Sequence, residues 1–181
     1  DYPKAYILKR GFVDVEERLA EHGIQMLPFD KDTTMELQVY HIDSFETSKT
    51  PYEKHYFHHN TRVKVSLEDV SLDKGDFLIP LDDKNKRLIC ELLEPEAPDS
   101  YFNWNYFDAI LQQKEWYSAY VFEDKAAQML KTNNKLNEEF EQMKKDPKFR
   151  SNPQRQLYWV YKHSEHYEKA HLRYPVYRQL N

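Results

Sequence analysis

Alternation of apolar and polar positions is the clearest signal in the first half of the chain. Met35, Leu37 and Val39 alternate with Glu36, Gln38 and Tyr40, and Val63, Val65 and Leu67 repeat the pattern within residues 61–67. A period of two marks half-buried strands. Residues 43–60 between them are polar, contain Pro51 and read as a hairpin connection. Short apolar runs at 6–9 and 24–27, and the stretch 70–81 with a turn at Asp73-Lys74-Gly75-Asp76, read as further strands. One helix interrupts them over residues 13–22, with Val15, Leu19 and Ala20 at helical spacing, Asp14 as its N-cap and Gly23 just past its end.

From residue 82 the period changes to that of a helix. Asp82 or Asp83 can cap a segment whose Leu88, Ile89, Leu92 and Leu93 form one face, and Pro95 and Pro98 stop it. Four more segments, 101–113, 117–130, 135–145 and 153–164, carry helical spacing, with Asp146-Pro147 and Asn152-Pro153 as breaks between them. The expected fold is therefore α+β: a strand-rich portion over 1–95 packed with a helical portion over 96–181, together one compact unit.

Composition narrows the function classes. The chain has 181 residues, with 15% aromatics, so a packed core is within reach, and a mean hydropathy of −0.93 demands a very polar surface. The net charge is −5, with the acidic excess in the first half, which argues against a nucleic-acid partner. No run approaches the roughly 20 apolar residues of a membrane span. The start, Asp1-Tyr2-Pro3-Lys4, has neither an initiator methionine nor a signal-peptide layout, and reads as a cut from something longer. Cys90, the single cysteine, sits among Leu88, Ile89, Leu92 and Leu93 and reads as a small core residue.

Motifs for hydrolysis, nucleotide binding and dithiol chemistry are missing, and only Gly11, Gly23 and Gly75 are available to let a backbone approach a phosphate. Histidines cluster twice, as His55, His58 and His59 and as His163 with His166. Zinc needs three or four converging ligands, and residues spaced i, i+3 share a helix face. Flanking Tyr52, Tyr56, Phe57, Tyr161 and Tyr167 favour stacking and hydrogen bonding instead, and no residue is assigned to a metal. The stretch 99–108 is dense in rings and amides. Trp104, Asn105 and Asn103 there, with Glu115 beyond, are the candidate contacts for a glycan or a peptide. The competing reading makes Phe102, Tyr106, Phe107 and Ile110 core, with Asp99 or Ser100 as a helix cap and Glu115 as a structural hydrogen-bonding group.

Leu92-Leu93-Glu94-Pro95-Glu96-Ala97-Pro98-Asp99-Ser100, Trp104 to Ile110, Gln113 to Trp116 and Tyr120-Val121-Phe122-Glu123 together resemble the C-terminal region of bacterial zinc carboxypeptidase-like metallopeptidases, the carboxypeptidase-A-like family. Ala127 to Leu130, Asp146 to Phe149 and Tyr174-Pro175-Val176-Tyr177-Arg178 extend the resemblance, and Ala5-Tyr6-Ile7, residues 19–24, 39–42 and 75–80 carry it into the first half. That family's peptidase domain holds zinc through a His-x-x-Glu pair and a later His. No His-x-x-Glu occurs here, so no catalytic or metal-binding role passes to any residue. The resemblance implies a non-catalytic accessory domain without a cofactor of its own. It would pack on, or shape access to, a zinc-bearing peptidase domain of the same chain, in a secreted or periplasmic setting. The alternative is an independent glycan- or peptide-binding module.

Overall fold

The computed structural model describes residues 2–82, 84–114 and 116–180. The fold is α+β, with a six-stranded antiparallel sheet drawn mostly from the first half and most of the helices in the second. Two compact units are present, residues 1–112 with 170–181, and residues 113–169.

In the first unit the strands are β1 (Ala5–Leu8), β2 (Leu27–Pro28), β3 (Thr33–Thr47), β4 (His58–Leu72), β5 (Phe77–Pro80) and β6 (Val176–Gln179), in the order β2-β5-β1-β6-β3-β4. The predicted alternation is seen, but β3 and β4 run further into the polar connection than their apolar residues imply. Their ladder extends to Thr47 opposite His58, with register shifts at Ile42/Ser44 and Ser44/Glu46. Cross-strand hydrogen bonding continues past the point where the apolar pattern ends, so 48–57 alone forms the connection. Strand β6 has only four residues, too few for a period to show, and it lies between β1 and β3.

Successive side chains of a strand point to opposite faces. Tyr6, Leu8, Ile79 and Val176 accordingly join the main core with α1 (Val13–Glu21) and α2 (Lys86–Leu93), through Val15, Leu19, Ile89 and Leu93. Ile7, Tyr177, Leu37, Val39, Val70 and Leu72 form a smaller cluster on the other face. Burial of all four β1 residues follows from this two-sided covering. Phe12, not Asp14, is the N-cap of α1; Asp14 lies in its first turn, while the Glu16 carboxylate accepts from the Gly11 amide. Gly23 sits past the end of α1 at φ +67°, the left-handed conformation expected there. At α2 the cap is Asn85, whose amide donates to the Asp82 carboxylate at 2.7 Å; Asp83 lies outside the described residues.

Residues 101–113 depart most from expectation. Turns lead into a single 3-10 segment, Asp108–Leu111, instead of a helix. Asn105 has φ +69°, which interrupts any helix begun at Tyr101. Tyr101, Phe102, Phe107 and Ile110 nevertheless bury in the main core, so residues 96–112 pack with the sheet.

The second unit contains α3 (Ala119–Thr132), α4 (Asn134–Met143), α5 (Pro147–Arg150) and α6 (Pro153–Lys162). Asn133, Asp146 and Asn152 accept from the Leu136, Lys148 and Arg155 amides, capping α4, α5 and α6. Pro147 and Pro153 occupy the first helical turns, where a missing N–H costs nothing. Phe122, Ala126, Phe140, Phe149, Val160 and Tyr161 form its core.

Candidate functional site

The segment 97–108 binds itself to the long hairpin through Asn103, Asn105 and Asp108. Asn103 is buried: its Oδ1 accepts from Thr61 Oγ1 at 2.9 Å and its Nδ2 donates to the Ala97 carbonyl at 2.8 Å. Its carbonyl accepts from the His58 amide at 2.8 Å, and its amide donates to Ser100 Oγ. Asn105 Nδ2 donates to the Tyr56 carbonyl at 2.9 Å and lies 3.2 Å from His58 Nε2. Both asparagines thus anchor main chain. Glu115 lies outside the described residues.

Trp104 is placed differently. Its indole N–H donates to Asp99 Oδ1 at 2.5 Å, while the half-buried ring meets Phe57 at 5.1 Å, His55 at 5.6 Å and Tyr52 at 6.2 Å between centroids. Beside it lies a groove of about 430 Å³ whose lining includes Arg18, His55, Asp99, Tyr101, Trp104 and Tyr106. Of the three sequence candidates among the described residues, Trp104 alone lines this groove. Arg18, Tyr101 and Tyr106 were not singled out for it: Arg18 sits on the polar side of an ordinary amphipathic helix, Tyr106 reads as core, and Tyr101 reads only as the start of a helical segment.

The histidine clusters separate. His55 packs against Trp104 and Tyr106; His58 is buried between Thr47 Oγ1 at 2.9 Å and Asp108 Oδ1 at 3.0 Å; His59 faces Glu46 at 3.8 Å. His163 Nδ1 lies 2.8 Å from the Trp159 carbonyl, and His166 Nε2 lies 3.3 Å from Lys125 Nζ. Among the described residues no three metal-ligating side chains converge.

A second constellation joins both ends of the first unit. Glu94 Oε1 accepts from the Tyr6 hydroxyl and forms an ion pair with Arg178, whose Nε lies 3.1 Å away; Arg178 also donates to Tyr40 Oη at 2.7 Å and Gln38 Oε1 at 2.5 Å. Tyr6 Oη lies 3.3 Å from Cys90 Sγ. Burial, then the Glu94 charge, pushes the Tyr6 and Tyr40 phenols far above their ordinary range. Burial, reinforced by Glu94, raises the Cys90 thiol. None of these groups is set up as a nucleophile: the thiolate is disfavoured and the phenols stay protonated.

Comparison with known protein families, with curated proteins and with solved structures finds no match for this chain. The chemistry of the site must therefore be read from its own residues.

Proposed function

We propose that the chain is a non-catalytic accessory domain of a zinc carboxypeptidase-like metallopeptidase, one that packs on the peptidase domain or shapes access to its cleft. The proposal takes its family from the sequence resemblance and its physical role from one observation. Trp116, Tyr120 and Val121 lie within six residues of one another and are 71%, 89% and 59% exposed. Large apolar side chains left this exposed so near one another in the chain support a place where another protein sits. The inward commitment of Asn103, Asn105 and His58 supports a structural role for the 97–108 segment, which carries part of the resemblance.

The experiment is the intact mass and metal content of the native polypeptide carrying this sequence in its source cells. A mass well above 22.0 kDa, with zinc and carboxypeptidase activity, is the expected result. A polypeptide of 22.0 kDa with no peptidase activity overturns it.

A further inference from the structure

We propose that the groove beside Trp104 is a binding site for a neutral saccharide. Four of its features point to that class of ligand. Rings line it in a connected row: Trp104 to His55, His55 to Tyr106 and Tyr106 to Tyr101, with neighbouring centroids 5.6, 5.7 and 5.4 Å apart. A sugar ring has apolar C–H faces that lie on such a surface and hydroxyls around its edge that need polar partners. Those partners are present in both signs, Arg18 with Glu53 and Asp99, so neither an anion nor a cation is favoured. The volume, about 430 Å³, falls within the roughly 300–1,000 Å³ typical of small-molecule sites.

The fourth feature is Tyr101. It is 4% exposed, lines the groove, and its hydroxyl has no hydrogen-bond partner among the described residues. A buried hydroxyl without a partner destabilises the free chain, and its retention calls for an explanation outside the fold. Arg18 supplies the link to the groove: its guanidinium lies 4.8 Å above the Tyr106 ring, and its charge acts on the Tyr101 phenol. A sugar hydroxyl that reached this phenol would give Tyr101 the partner it lacks. Strain points to the same place, since Glu53 and Lys54 in the adjoining loop hold positive φ of 49° and 70°.

A peptide is the less suitable ligand. Extended peptides are held through main-chain groups at an open sheet edge. The sheet edges are β2 and β4, and neither contributes to this groove, whose wall is built of side chains from α1, α2, the 52–55 loop and the 99–106 turns. The inference stands whether or not the chain is joined to a peptidase.

The test is an NMR titration of the whole chain with triacetylchitotriose, cellotetraose and maltotetraose, following the Trp104 indole N–H, with an uncharged capped tetrapeptide as the rival ligand. At least one saccharide is expected to shift that resonance at millimolar concentration. Tyr101→Phe and Arg18→Ala are each expected to weaken its binding about fivefold, the loss of one hydrogen bond. The decisive pairing is that Tyr101→Phe keeps or raises the melting temperature while weakening binding, which a merely structural tyrosine would not do. Failure of all three saccharides, binding indifferent to both substitutions, or response to the peptide alone overturns the proposal.

Discussion

Arg178 Nε lies 3.1 Å from Glu94 Oε1, so a strand at the end of the chain is locked to the residue that caps α2 at its C-terminus. The pair is mostly shielded, with side-chain exposures of 14% and 24%. Removing one partner of such a pair leaves the other charge poorly solvated. Arg178→Met also forfeits the bonds to Tyr40 and Gln38, and it should cost about 3 kcal/mol in a urea unfolding experiment. In the double variant with Glu94→Gln the losses should fall short of additivity by about 1–2 kcal/mol. Strict additivity would mean that the two groups do not act as a pair.

Alkaline pH should unfold this protein early. Tyr6, Tyr40 and Tyr174 are all raised above the ordinary tyrosine range, in each case mainly by burial, and all three are nearly inaccessible. A folded-state pKa above the unfolded one gives stability that is complete below about pH 10 and is lost as pH rises, because the unfolded chain releases its protons first. Each such phenol contributes a loss of about 1.4 kcal/mol per pH unit beyond about pH 10, and the three together about 4. Urea midpoints measured from pH 9 to 11.5 should therefore fall steeply. Phenolate absorbance should include a step coincident with unfolding; a chain that unfolds across this range with no such step would refute this account.

Asn103 carries more of the first unit than its sequence suggests. Replacing it with Ala strands the Thr61 hydroxyl and the Ala97 carbonyl, which the amide now satisfies. Buried groups left unpaired cost about 1–3 kcal/mol each, so Asn103→Ala should lose about 3 kcal/mol. Asn105→Ala has a smaller polar loss but must also adopt φ +69° without the tolerance asparagine has for that region. Asn105→Gly, which keeps the conformation and drops the side chain, separates the two contributions: it should retain more stability than Asn105→Ala in the same assay.

Legibility followed the strength of the local signal. Period-two alternation located β3 and β4, and helical spacing opened by Pro153 located α6, because those signals reside in the neighbours of each residue; Asp146-Pro147 read only as a break, where the four-residue α5 forms. Strand β6 escaped because pairing between β1 and β3 makes it a strand, and nothing within Val176–Gln179 announces that. Residues 101–113 misled because Phe102, Tyr106, Phe107 and Ile110 fit a helical period, while one left-handed residue, Asn105, decides against it. At the groove, Trp104 was visible as an aromatic in a polar setting. Arg18 and Tyr101 were not, since their convergence depends on α1 and the 99–106 turns meeting in space.

Cys90 offers a probe of the Glu94 constellation in which direction, not size, is decisive. Its thiol is half-buried and its pKa is raised, first by burial and then by the Glu94 charge, with the Tyr6 hydrogen bond acting the other way. Disulfide reagents attack through the thiolate, so labelling at pH 8 should be several-fold slower than for an unstructured cysteine peptide. Tyr6→Phe removes the hydroxyl that lies 3.3 Å from the sulfur and favours its ionised form. That variant should label more slowly still, although it loses a buried hydrogen bond to Glu94 and is the less stable protein. Destabilisation by itself would speed labelling by opening the site more often. Slower labelling in Tyr6→Phe therefore reports the electrostatic contact itself, and faster labelling would show that access, not thiol ionisation, limits the reaction.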